Sequence, residues 1–277
     1  MGGNEPYFAG RGRGPGYRSH PQGQSLAGMK ILLLIAIGLL GSLASGSESR
    51  GQPSALQISD RPLVFAGATL RGKVIVSSPY EPPLPLKVFK SRSFCGANVP
   101  NETLMIGAGG GVANAVITLT PVDRIVAGSP GRAILDNRQC AFVPHVQVVV
   151  RGSDLLLKNS DPILHTVHAR LGRETLFNVG LPIWRQVTKR LDRPGVIRID
   201  CDVLHTWMSA AIVVVTTPYY RITDVNGNFI LDGLPHGTYD MEVWHERLGN
   251  KKARIDLQEN GVAAVEVFFS SPAARPR

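Results

Sequence analysis

Residues 145–216 hold seven short runs of strand-forming residues, each ended by a turn after a few positions. They are expected at 145–150, 155–158, 164–169, 174–178, 185–191, 196–200 and 211–216. Runs of this length, with turns at Arg151-Gly152 and Arg193-Pro194-Gly195, argue for an all-β sandwich or barrel. Thirty glycines and twenty prolines supply the turns, and helical periodicity is scarce outside the N-terminus. Earlier runs at 69–76, 86–89 and 113–119 read as a separate N-terminal β layer. The glycines at 107–111 lead into the strand-like NAVITL with no Gly-Lys-Ser/Thr after them. They read as a hairpin turn, not a phosphate loop.

The chemistry concentrates in residues 194–215, PGVIRIDCDVLHTWMSAAIVVV. The stretch reads as strand, tight loop, strand, and the loop carries Cys201, His205 and Met208. A thiol, an imidazole and a thioether are donors that suit copper, and two imidazoles with one thiolate and a weak axial thioether form the blue-copper pattern. The second imidazole must come from elsewhere, and NSDPILH at 159–165 offers His165 directly after a strand. Asn159 and Asp161 are expected to shape the turn before it, with Pro162 limiting backbone freedom. His168 lies three positions on, which in a strand is the opposite face, so it stands as a reserve ligand.

The segments NSDPILHTVH and PGVIRIDCDVLHTWM resemble the two ligand segments of cupredoxins, the plastocyanin and amicyanin proteins. The chain from about residue 65 is similar to plastocyanin-like periplasmic proteins of the methylamine utilization type. That similarity rests also on Cys95-Gly96, GGVANAVITL at 110–119, QCAFVPHV at 139–146 and TDVNGNFILDGLPHGTYDMEVWHERLG at 223–249. The resemblance implies a cupredoxin-like Greek-key β-sandwich over 139–217 that holds one mononuclear copper for electron transfer. The family loop reads C-x-x-H-x-x-M; here it is C-x-x-x-H-x-x-M, with Leu204 the extra residue. Residues 218–271 resemble a carboxypeptidase regulatory-like, or carbohydrate-binding-like, β-sandwich segment, which implies architecture more than sugar binding.

Residues 1–28 are rich in Gly, Arg and Pro and cannot bury a core. They read as a disordered tail, or as an extension upstream of a start at Met29. Met29-Lys30 followed by ILLLIAIGLL and GSLASGS has signal-peptide proportions over 29–46. A retained anchor is the alternative, although ten apolar residues are short for a membrane span. A polar linker at 47–64 follows. The expected mature chain is periplasmic or secreted, without stable membrane insertion after cleavage. It carries 26 basic and 20 acidic residues. That excess is too small for a nucleic-acid footprint and favours, at most, an acidic redox partner.

With Cys201 taken as a ligand, Cys95 and Cys140 remain, and an oxidising compartment favours their pairing. Two buried free thiols are the alternative. His145 and His245 read as structural residues, with a role beside the metal as the second option. Cys201 and Met208 can equally be read as core residues. No Ser-His-Asp order, carboxylate pair or dinucleotide loop points to catalysis, so a carrier is expected rather than an enzyme. The competing readings are copper storage or delivery, and a sandwich that binds carbohydrate or protein beside a vestigial copper loop.

Overall fold

The computed structural model describes residues 67–77, 80 and 82–271. The expectations for the tail, the signal peptide and the linker lie outside the described residues. The first strands are β1 (Ala68–Val76), the short pair β2 (Leu86–Lys87) and β3 (Asn98–Val99), and β4 (Val116–Pro121). Next come β5 (Arg132–Arg138), β6 (Ala141–Val143), β7 (Val146–Val150), β8 (Ser153–Asn159), β9 (His165–Leu171), β10 (Glu174–Leu181), β11 (Gln186–Leu191), β12 (Gly195–Asp200) and β13 (Ser209–Val215). The last are β14 (Tyr220–Ile222), β15 (Asn228–Leu234), β16 (Gly237–His245), β17 (Gly249–Leu257) and β18 (Val262–Phe269). The fold is all-β.

Two sheets, ordered β10-β9-β12-β13-β7 and β11-β8-β5-β6, close over one apolar core. Leu135, Leu155, Leu157, Val167, Ile197, Ile199 and Ile212 fill it. Each such side chain contributes roughly 1.5–3 kcal/mol by leaving water. Both sheets are mixed, because β13 runs parallel to β7 and β5 parallel to β8. Together they are the sandwich expected over 139–217. It begins at Arg132 rather than at residue 139, because β5 zips onto β8 from Arg132↔Asp154 to Asn137↔Asn159.

The strands on either side form one further body. β1 pairs antiparallel with β15 and parallel with β18, while β4 lies between β14 and β16. These sheets share a second core around Leu70, Ile117, Phe229, Leu234 and Tyr239. The N-terminal layer and the C-terminal segment, expected as separate units, are therefore halves of a single sandwich into which residues 132–216 are inserted. The glycine turn at 107–111 lies against the turn that opens β15. A Cβ on Gly111 would sit 1.8 Å from the Asn226 carbonyl oxygen, so only glycine permits the approach.

The two sandwiches meet along a seam, and the seam explains an oddity of composition. β13 is buried at almost every position, where an ordinary sheet strand alternates. Its Ala210, Ile212 and Val214 enter the core of the inserted sandwich, while Ala211, Val213 and Val215 pack into the seam with Val116, Val146 and Trp244.

Candidate metal centre

Register brings the candidate ligands to one end of the five-stranded sheet. β12 lies between β9 and β13, with Asp200 opposite both His168 and Ser209. His165 opens β9, Cys201 follows the last residue of β12, and Met208 precedes the first residue of β13. Antiparallel neighbours place those three termini together.

Three donors converge there. His165 Nδ1 and His205 Nδ1 are 3.1 Å apart, and Cys201 Sγ lies 3.9 Å from the first and 3.8 Å from the second. A point equidistant from all three falls about 2.1 Å from each, close to the metal–nitrogen bonds of about 2.0–2.1 Å and metal–sulfur bonds of about 2.3 Å that zinc makes. The residues therefore fit a single ion of first-row size. All three are buried, with His165 and His205 no more than 1% exposed. Met208 is buried at the end of the same loop, its N–H donating to the His205 carbonyl at 2.8 Å.

The extra loop residue is absorbed outward. Leu204 adopts φ +66° and is 65% exposed. A left-handed residue reverses the chain locally, which lets His205 turn inward while its predecessor points to solvent.

The electrostatics favour a metal-accepting donor set. Burial works against the Cys201 thiolate, yet a hydrogen bond with His165 and N–H groups from Thr166 and Val203 outweigh it, so the thiol is lowered. The Thr166 N–H donates to Sγ at 3.4 Å. For His205, burial, then the neighbouring His165 charge and Lys90, push the pKa down to about 4 and leave a neutral imidazole. His165 moves up, because Asp161 and Cys201 outweigh its burial.

Several residues surround the site: Trp207, which the sequence suggests as a side chain packed over it, and others that sequence reasoning passed over or read only as turn formers. Asp161, expected only to shape a turn, accepts from His165 Nε2 at 3.0 Å. Ser91 Oγ lies 3.4 Å from His205 Nε2. Ser91 begins a strap that runs through α1 (Arg92–Cys95) to the Cys95–Cys140 disulfide, so the expected pairing is present and Cys201 is free. Trp207 packs its ring 4.9 Å from that of His205 and donates to the Cys140 carbonyl at 3.1 Å. No local pattern announces these contacts; a thiol-flanked, basic stretch around Ser91 was the only signal.

The reserve residues lie elsewhere. His168 faces away from the donors: its Nε2 meets Thr175 Oγ1 at 2.8 Å, and its Nδ1 lies 2.9 Å from Asp202 without hydrogen-bond alignment. Asn159 accepts from the Asp161 N–H and donates to the carbonyls of Ile163 and Leu181, fixing the turn before His165. His145 pairs with Glu246. His245 is buried, accepts from the Arg247 N–H at 3.2 Å, and is held at about 4 chiefly by burial.

No family model matches the chain, and no curated protein matches it. Solved structures similar to it include a purple cupredoxin from Nitrosopumilus maritimus, 18% identical with a TM-score of 0.27, covering 31% of this chain and 99% of the other. Amicyanin from Paracoccus versutus is 12% identical with a TM-score of 0.28, covering 35% and 97%. A copper-containing nitrite reductase from Thermus scotoductus is 14% identical with a TM-score of 0.28, covering 51% and 28%.

Proposed function

We propose that this protein is an exported, one-copper electron carrier of the blue-copper kind. His165, Cys201 and His205 are the principal ligands and Met208 a weak axial one. The carrying observation is the donor triangle of two imidazole nitrogens and one sulfur, with sides of 3.1, 3.8 and 3.9 Å. Hard-oxygen metals are poorly served by such a set, whereas copper accepts it in both common oxidation states.

Bound copper would supply one-electron exchange between Cu(I) and Cu(II). The protein holds the donors at strand termini, so they need not move when the charge changes. Burial keeps water off the site, and the Thr166 N–H draws charge from the sulfur. Beside Met208 and Trp207 lies a cavity of about 20 Å³, room for roughly one water molecule and no substrate. The strap and the residues that lead into it carry Lys87, Lys90 and Arg92 without an acidic residue, next to the exposed Phe89 and Phe94. Such a face suits a redox partner with an acidic rim. The methylamine utilization type and the carboxypeptidase regulatory-like segment rest on the sequence resemblances, and export on the signal-peptide proportions of residues 29–46.

The test is to load the purified protein with Cu(II), reduce it, and record optical and paramagnetic resonance spectra. Intense visible sulfur-to-copper absorption, bleached on reduction and absent in Cys201→Ser, is expected. A colourless protein that binds copper in neither state would overturn the proposal. Cu(I) that exchanges freely without reversible oxidation would favour storage or delivery.

A further inference from the structure

We propose that Asp161 is a positioning residue through which the turn bearing Cys140 sets the donor strength of His165 and biases the centre toward its oxidised state. The inference rests on the copper reading above.

Asp161 is 2% exposed, an unusual place for a carboxylate. Besides His165, it is held by backbone N–H groups rather than by a lysine or arginine. Oδ1 accepts from the Gln139 N–H at 2.6 Å, and Oδ2 accepts from the Cys140 N–H at 2.9 Å and from His165 Nε2 at 3.0 Å. Gln139 and Cys140 are both left-handed, with φ of +54° and +59°. Two successive residues so twisted aim adjacent N–H groups at one point, which makes a small anion-binding concavity. A carboxylate held this way is an acceptor only. Neutral His165 must therefore carry its proton on Nε2, which leaves the Nδ1 lone pair to face Cys201 and His205.

Two effects follow for the metal. The tautomer and ring orientation are fixed before any ion arrives, as outer partners of ligating histidines generally fix them. The buried negative charge also makes the imidazole a stronger donor, which stabilises the more highly charged metal. The disulfide enters the same chain of contacts, because Cys140 supplies one of the two backbone donors.

Asp161→Asn tests the charge. Asparagine offers one acceptor oxygen to three donors and turns an NH₂ group toward at least one of them. The expected result is a folded, copper-binding variant whose preference shifts about tenfold toward Cu(I). That corresponds to a reduction potential higher by about 59 mV for one electron. Asp161→Glu, which keeps the charge, should move the potential less. A residue that merely braced the turn would leave the potential unchanged, and that result in folded Asp161→Asn sinks the proposal. Should Asp161→Asn fail to fold, imidazole ¹⁵N spectra of the metal-free wild-type protein, recorded where His165 is neutral, decide the matter. A proton on Nε2 supports the assignment and a proton on Nδ1 overturns it. The same spectra separate this inference from the copper reading, because they need no metal.

Discussion

His145 and Glu246 meet at 2.6 Å across the seam between the two sandwiches, each with a largely buried side chain. His145 sits just before β7 in the inserted sandwich, and Glu246 follows β16 in the surrounding one. The contact accounts for two motifs at once, VPHV at 143–146 and the WHE of residues 244–246.

The pair should make stability depend on pH. Burial opposes the charged imidazole, but the hydrogen bond and charge of Glu246 outweigh it, and His145 is raised. A raised histidine contributes its full stabilisation below the unfolded value of about 6.5 and loses it as the pH climbs through the folded value. Urea midpoints should therefore fall between pH 6 and pH 9. In Glu246→Gln the profile should flatten, at a cost of about 1–3 kcal/mol at pH 6. An unchanged profile would remove the pair from the account of the seam.

Removing the disulfide should act on both stability and access. Cys95 and Cys140 are 45 positions apart, so the chain-entropy model gives about 4 kcal/mol for the crosslink. In the double variant Cys95→Ser, Cys140→Ser, guanidinium unfolding should shift by up to that amount. The strap should also lift from His205, so added azide should perturb the copper spectrum there and not in the wild type. Equal azide response in the two proteins would show that the strap does not shield the centre.

At Leu204 shape and conformation make opposite demands. A left-handed backbone costs an L-residue roughly 1–2 kcal/mol, and the exposed side chain returns little. Leu204→Gly should be between neutral and about 1 kcal/mol more stable, with the copper spectrum retained. Leu204→Val keeps an apolar side chain, yet it should be destabilised by about 1 kcal/mol or more, since β-branching worsens the strain. Thermal melts of both variants check the order; a valine variant as stable as the glycine one would contradict it.

Tyr239 ties together the surrounding sandwich. Its ring is buried, its hydroxyl donates to the Pro235 carbonyl at 2.7 Å, and it accepts from Arg124 at 3.2 Å. Tyr239→Phe keeps the ring and loses both bonds, so a loss of about 1–2 kcal/mol is expected. Copper spectra should be untouched, because the second core is a separate one. A calorimetric scan with a spectrum of the same sample distinguishes a local loss from a general one.

The three converging candidate donors were readable in the chain because their chemistry is local: Cys201 and His205 share one loop, and His165 follows a turn-forming Asn-x-Asp-Pro. Their supports were not. Thr166 and Ser91 are ordinary residues whose roles arise only when segments far apart in sequence come together, and Asp161, four residues before His165, carries only a turn signal in the sequence. The strands between 145 and 216 were legible for the same reason, since each has its own apolar run. β17 escaped because it is an edge strand with Lys251, Lys252 and Arg254 exposed. The union of β1 with β15 and β18 escaped because strand partners over such a separation leave no periodic trace.

That union also fixes an order of events. The inserted sandwich is largely one continuous stretch, so its strands find partners soon after they are made. β1 waits: its register partners begin with Val262 for Thr69 on one side and end with Leu234 for Ala68 on the other, a span of roughly 160–190 residues, and contacts that remote form slowly. Until β15 emerges β1 has two open edges, and until β18 emerges it keeps one, the kind that invites pairing with another chain. During biosynthesis the half with the candidate metal site is expected to be the early-formed one. Ribosome-stalled chains ending before Val262 should then show a protease-resistant sandwich preceded by a cleavable β1.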